Sequence, residues 1–250
     1  MAYSVDSSWY LDDIVGIGIY IKEGNCFMRR RMLNNRNDGL VDEHTRFLMR
    51  FDNNFEVYGY PPPNIEDGLE IKGGEFVTDS IGTGYKYTNT SNSYGMINTS
   101  STLSPDLFGD GDLFTIDFWY KPLAVINACS VGHEWYNGSF YFGIANDNGL
   151  CLYFATYRGS YGINAGSVSV GKWYHVAIVR SLSDRLLCFI DGIFLGHLPY
   201  PVYSLRLYNI DFNRQRDNDY NRGSFVIDDF RISDVARWMS DFEPPKRKGL

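Results

Sequence analysis

Along Leu113 to Lys121 (LFTIDFWYK) the side chains alternate. Phe114, Ile116, Phe118 and Tyr120 fall on one face, and Thr115, Asp117, Trp119 and Lys121 on the other, which is the period-two pattern of a strand. Comparable short runs recur from Arg46 onward: Arg46 to Phe51, Val125 to Val131, Ser139 to Ala145, Leu150 to Tyr157, Lys172 to Arg180, Arg185 to Ile190, Ile193 to Leu198, Val202 to Asn209 and Gly223 to Ile232. Turn chemistry separates them. Asn146-Asp147-Asn148-Gly149 suits a hairpin, and Asp191-Gly192 between apolar runs predicts a type I′ turn, whose two central residues need positive φ. Tyr60-Pro61-Pro62-Pro63 stops any strand, because proline cannot donate to a ladder. The Ser-, Asn- and Gly-rich stretch Asp79 to Ser104 reads as long rim loops with one strand at Tyr94 to Ile97, and Ser233 to Trp238 as the single helical segment, capped by Ser233. Short strands at this spacing predict an all-β sandwich or barrel.

The first 45 residues depart from the pattern. Ile14 to Lys22 reads as one strand, but Arg29-Arg30-Arg31 and the polar stretch Asn34 to His44 hold too few apolar residues for a core. The expected organisation is an N-terminal arm or docking segment (1–45), an all-β domain (46–245) and a basic tail (246–250). Arg29, Arg30 and Arg31 are candidate partner-docking residues, suited to an acidic patch.

Composition narrows the function classes. The 250 residues include 19 Tyr, 17 Phe and 5 Trp and carry a net charge of −7, which suits strands and opposes binding to nucleic acid. Ile14 to Ile21 is too short for a membrane span, and Met1 to Asp6 lacks the basic start of a secretory leader, so neither insertion in a membrane nor export by the Sec route is expected. The cysteines at 26, 129, 151 and 188 have no metal-ligand or redox spacing. Three of them lie in apolar runs and read as buried thiols. Asn89, Asn98 and Asn137 begin glycosylation sequons that matter only in a glycosylating compartment.

Four motifs in order carry a resemblance: Asp112 to Lys121, Gly171-Lys172-Trp173-Tyr174-His175-Val176-Ala177, Phe189-Ile190-Asp191-Gly192, and Ile227 to Trp238 with Phe242-Glu243-Pro244-Pro245 after it. Together they resemble the laminin G-like, concanavalin A-like jelly-roll family, most closely its phage-encoded copies, and Arg46 to Phe55 is similar to the first strand of those copies. The resemblance implies that residues 46–245 form an all-β, two-sheet antiparallel jelly-roll sandwich. Physics assigns the motifs to the fold: Asp191-Gly192 turns a hairpin, Trp173 and Val176 pack between the sheets, and Asp228 with Asp229 fixes backbone near the closing strand.

The resemblance includes glycoside hydrolases, whose retaining members place paired carboxylates on one strand at E-x-D-x-x-E spacing. This chain has no such run, and Asp117 stands alone on its strand. His44, His133, His175 and His197 form no HExxH, and no serine occupies a G-x-S-x-G elbow, so a non-enzyme is expected. What the resemblance implies instead is recognition of sugars or proteins by rim loops. The candidate carbohydrate contacts are His133, Trp135, Tyr136 and Asn137 in one loop, with Asp147 and Asn148 from the next hairpin. No resident cofactor is expected. Calcium is a secondary candidate through Asp106, Asp110 and Asp112 or Asp217 to Asp219. The expected function is a bacteriophage virion structural protein at the particle surface. It would dock to other virion proteins through residues 1–45, form a homo-oligomer and adhere to host cell-surface glycans; the alternative is a cellular carbohydrate-binding, lectin-like module.

Overall fold

The computed structural model describes residues 15–22, 25–32, 40–60, 63–65, 68–80, 82–103, 113–133, 140–146, 150–156, 162–181, 185–199, 209–214 and 222–247. The chain divides into two compact units, Met1–Asn37 and Asp38–Leu250. In the first, β1 (Val15–Lys22) and β2 (Asn25–Met32) pair antiparallel. The second strand falls on the arginine-rich stretch that the sequence pattern left unassigned. Arg29 and Arg31 pair with Gly18 and Gly16, whereas Arg30 pairs with Ile17.

The second unit is a sandwich of two antiparallel sheets, as the strand pattern and the resemblance together predict. One sheet is built on β3 (Thr45–Met49), β4 (Val57–Tyr58), β9 (Phe114–Pro122), β14 (Tyr174–Arg180), β15 (Arg185–Ile190), β16 (Ile193–Pro199) and β18 (Phe225–Ser233), in the order β16-β15-β14-β9-β18-β3-β4; β6 (Glu75–Asp79) and β7 (Gly82–Tyr87) complete nine strands among the described residues. The other runs β13-β12-β11-β10-β17-β8-β5, from β13 (Gly162–Ser167), β12 (Leu150–Thr156), β11 (Phe140–Asn146), β10 (Ala128–His133), β17 (Asn209–Phe212), β8 (Tyr94–Asn98) and β5 (Leu69–Lys72). Between the sheets lie the expected Phe114, Ile116, Phe118 and Tyr120, with Val176, Phe142, Phe154, Phe212 and Phe230. Asp191 (φ 51°) and Gly192 (φ 75°) form the predicted turn between β15 and β16. Cys129, Cys151 and Cys188 are free and buried, as expected.

Three local expectations are corrected. Ser233 to Trp238 is not helical: Ser233 ends β18, and the segment bonds to the sheet, Thr115 Oγ1 donating to the Val235 carbonyl and accepting from the Arg237 N–H. Trp173 does not share the inter-sheet core with Val176. The two are an odd number of residues apart, so a period-two strand sends them to opposite faces, and Trp173 packs outside with Trp119 and Val226. The stretch from Asp79 is not all rim loop, because Gly82–Tyr87 is a strand whose Tyr85 and Tyr87 enter the core.

The outer face of the nine-stranded sheet is buried by the chain after β18. Ala236, Trp238 and Phe242 cover Ala177, Val179, Leu187 and Phe189, with Trp238 and Phe242 stacked at 3.9 Å between ring centroids. Arg237 forks onto Asp42 at 2.7 and 2.8 Å. Arg247 lies 3.8 Å over the Trp173 ring and donates to Asp228 at 2.9 Å. Beneath this strap sits a buried ionic cluster. Arg231 makes two 2.9 Å bonds to Asp117 and donates to the Leu40 carbonyl, while His175 Nε2 lies 3.3 Å from Asp117 Oδ2. Burial alone would raise the Asp117 carboxyl, but the Arg231 charge and the bonds from His175 and Arg231 overcome it and hold the group below the usual carboxylate range.

Two predictions follow from this arrangement. Asp117→Ala leaves Arg231 buried without its carboxylate and should cost about 3–5 kcal/mol in a denaturant titration; a second change, Arg231→Leu, should cost less in that background than in the wild type. Asp228 is pushed up to about 8 by burial and by Asp229, against the opposing charge of Arg247. The folded state therefore holds this proton more tightly than the unfolded chain, and the associated stability is full below the unfolded value of 3.8 and lost as pH rises through about 8. The melting temperature should fall between about pH 5 and 8.5, and Asp228→Asn should flatten that slope.

Candidate functional site

The outer face of the seven-stranded sheet has a different character. The register aligns Ala155, Tyr141, Gly132, Asp211, Met96 and Glu70 in one row across β12, β11, β10, β17, β8 and β5. Tyr153, Gly143 and Cys129 align in a second. Their alternates, among them Phe142, Phe154, Val131 and Phe212, fill the core, so these rows face away from it. None of the hydrophobic clusters among the described residues places a strap over this face.

The rows form a trough. One wall is Tyr141 and Tyr153, partly exposed, with ring centroids 6.3 Å apart. The floor is Gly132, Gly143 and Cys129, all buried. The opposite wall is a polar corner on β5, β8 and β17, and three strand spacings separate β11 from β8, about 14 Å. Burial pushes the Tyr141 hydroxyl and the Cys129 thiol each up to about 12, so both stay protonated and uncharged at neutral pH.

Tyr94 organises the corner. Its hydroxyl donates to Glu70 at 3.2 Å and accepts from Lys72 at 3.0 Å, and Lys72 also pairs with Glu70. The Lys72 bond is the main reason that the Glu70 carboxyl lies low. Arg214 reaches back over the ring, its guanidinium carbon 4.7 Å from the centroid, and donates through Nη2 to Asp211 at 3.0 Å and to the Met96 sulfur at 3.6 Å. Arg222 adds a second guanidinium at 5.6 Å and bonds the carbonyls of Ser93 and Asn213. Burial raises the Asp211 carboxyl against the opposing Arg214 charge. The arrangement sets aromatic rings on one side and fixed donors and acceptors on the other, with small residues between them.

The candidates named from sequence relate to this face through its strands. His133 ends β10, pairing with Ile210, and Trp135, Tyr136 and Asn137 lie outside the described residues, in the connection that leaves the sheet beyond the Gly132–Tyr141 pair. Asp147 and Asn148 are also outside them, beyond the Asn146–Leu150 pair. The strand ends bracketing the two groups are Phe140 and Asn146, opposite ends of β11, about 20 Å apart at strand rise. Asp106, Asp110, Asp112 and Asp217 to Asp219, the calcium candidates, lie outside the described residues, among which no cluster suited to a metal occurs. Asp117, the carboxylate weighed for hydrolysis, has both oxygens committed to Arg231 and His175 beneath Trp238 and Phe242. The trough residues themselves, Tyr141, Tyr153, Tyr94, Asp211 and Arg214, were not singled out from sequence. Alternation in the runs Ser139 to Ala145 and Leu150 to Tyr157, joined by a hairpin, was a signal sufficient to set Tyr141 and Tyr153 on a shared outward face.

Comparison with known proteins agrees with this architecture. No curated protein matches the sequence. Among solved structures, the binding domain of paraclostridial mosquitocidal protein 1 is 16% identical with a TM-score of 0.54, over 79% of this chain and 50% of that one. The binding domain of botulinum neurotoxin DC is 14% identical with a TM-score of 0.57, over 78% and 49%, and botulinum neurotoxin type C is 13% identical with a TM-score of 0.58, over 79% and 49%. The chain thus spans about half the length of these structures, and identities this low establish a shared fold. The family model for the concanavalin A-like lectin/glucanases superfamily matches residues 90–241, more than half of the chain, and with the sandwich that carries those residues it places this chain in the concanavalin A-like lectin/glucanases superfamily.

Proposed function

We propose that this chain is a non-catalytic glycan-binding sandwich whose ligand lies in the trough of the seven-stranded sheet. The observation that carries the reading is the pairing of Tyr141 and Tyr153 with the Tyr94, Asp211 and Arg214 corner across a floor of small residues. A pyranose ring has one face of C–H groups that suits an aromatic ring and an edge of hydroxyls that needs fixed polar partners. The neighbours lend support. One structure of botulinum neurotoxin type C concerns cell entry dependent on two ganglioside molecules, and one of the neurotoxin DC binding domain is a complex with SialylT. Another, the DC domain with rat synaptotagmin II, has a protein partner. The inaccessibility of Asp117 supports a binding role over hydrolysis.

The finer reading makes the chain a surface component of a bacteriophage virion, displayed as a homo-oligomer and docked to other virion proteins through residues 1–45. Its support is the resemblance of the strand motifs to phage-encoded copies and the division of Met1–Asn37 from Asp38–Leu250 as a separate compact unit.

On a glycan array, the chain should retain a defined set of sugars, and Tyr153→Ala and Tyr141→Ala should each weaken binding by about tenfold or more, as loss of an aromatic platform does, with unchanged melting temperatures. An array with no retained sugar, or tyrosine variants that bind as the parent does, would remove the trough as the site. For the virion reading, deleting residues 1–37, the first compact unit, should abolish incorporation into particles while the sandwich still melts cooperatively; retained incorporation would defeat it.

A further inference from the structure

The polar corner of the trough is asymmetric in how its groups are satisfied. Glu70 is bonded by both Lys72 and the Tyr94 hydroxyl. Arg214, with five N–H donors, meets one carboxylate oxygen and one thioether, both through Nη2, and its Nε has no partner. A thioether is a weak acceptor, so this guanidinium is short of strong ones. It is nevertheless held in place, stacked on Tyr94 and tied to Asp211, with 21% of its side chain exposed. Lys72 stands 5.4 Å from the same ring with its side chain 56% exposed. Three cations, Lys72, Arg214 and Arg222, thus surround one tyrosine, with the carboxylates of Glu70 and Asp211 among them.

A neutral hydroxyl would supply one acceptor here. A carboxylate supplies two and brings a further negative charge to a guanidinium that Asp211 meets through a single oxygen. We propose that the ligand of the trough is an acidic glycan, its sugar carboxylate anchored by Arg214 with Lys72 alongside, and its neighbouring ring directed over the floor toward Tyr141. This rests on the glycan reading above and specifies the class of sugar.

The test is titration calorimetry of the full chain with a sialic-acid-terminated trisaccharide, the methyl ester of the same sugar, and the uncharged disaccharide that it extends. A sulfated disaccharide is the fourth probe. The acid should bind at least tenfold more tightly than its ester, the preference should shrink as salt is raised, and Arg214→Gln should bring acid and ester to equal affinity while the uncharged disaccharide is still bound and the chain still unfolds cooperatively. Arg214→Lys, which keeps the charge and loses the fork, should retain only a small part of the preference. Acid and ester bound equally by the wild type, a preference that survives Arg214→Gln, or a sulfated probe preferred over the carboxylate would each overturn the proposal. If neutral sugars bind and are lost with Tyr153→Ala while the ester matches the acid, the glycan reading stands and the acidic anchor alone falls. If no sugar of either kind binds, both fall together.

Discussion

The bidentate bond between Arg231 and Asp117 holds the centre of this sandwich. It joins β18 to β9, the pair at the middle of the nine-stranded sheet, across 114 residues of sequence. Neither group is more than 2% exposed, so each needs the other: a buried guanidinium or carboxylate left alone is far more costly than the matched pair. The pair also sets what must cover it. Water reaching the cluster would weaken its electrostatics, and the strap of Trp238 and Phe242, stacked together and edge-on to His175, keeps water away. Leu40, whose carbonyl takes the third Arg231 bond, is drawn in from the opposite end of the unit's sequence. Both chain ends of the sandwich are therefore fastened at the same place.

From this follows the difference between the two outer faces. One sheet needs a cover because it carries charge in its middle, and the strap that supplies the cover occupies the surface. β9, β14 and β18 are accordingly buried on both faces, and their outward positions carry buried polar groups, Thr115, Asp117, His175 and Arg231 among them. Among the described residues the outward face of the other sheet carries a partly exposed pair, Asp211 with Arg214, and no strap. Its outward row has glycine and alanine where the first sheet has tryptophan and arginine. The proposed recognition face is thus the one that the stability requirement of the first sheet leaves uncovered by the strap.

Sequence reasoning recovered what is local. Asp191-Gly192 and the alternation from Phe114 to Tyr120 are decided within a few residues, and both took the expected form. Where strand partners supply the signal, it failed. Gly82–Tyr87, Leu69–Lys72 and Gly162–Ser167 are glycine-rich or polar edges whose extension is enforced by pairing rather than propensity. Ser233 to Trp238 has helix-compatible residues, but Thr115, far away in sequence, satisfies its backbone from the sheet. The trough was harder still. Asp211 lies in β17 and Arg214 two residues past its end, beyond the Asn209 at which the pattern stopped, while Tyr94 starts a strand more than a hundred residues earlier and Glu70 lies in a stretch left unassigned, so no window of sequence contains the site.

The trough floor shows how stability and recognition can be separated at single positions. Glycine inside a strand costs roughly 0.5–1 kcal/mol relative to alanine, so each one needs a reason. At Gly143 the reason is internal: a Cβ would stand 2.0 Å from the Ala128 carbonyl oxygen, where the β10–β11 register shifts, so the fold itself forbids a larger residue. At Gly132 such a Cβ would meet the Cys129 sulfur at 3.1 Å, the Tyr141 Cβ at 3.3 Å and the Phe140 carbonyl oxygen at 3.4 Å, so its neighbours must give, but no backbone atom stands as close as at Gly143. Packing therefore forbids a side chain at Gly143 and crowds one at Gly132. Gly132 is also the position between Tyr141 and Asp211 in the transverse row, so a side chain there would raise the surface between the aromatic wall and the polar corner. On the proposed reading, Gly132 is the position where the cost in packing and the cost in sugar contact can be told apart.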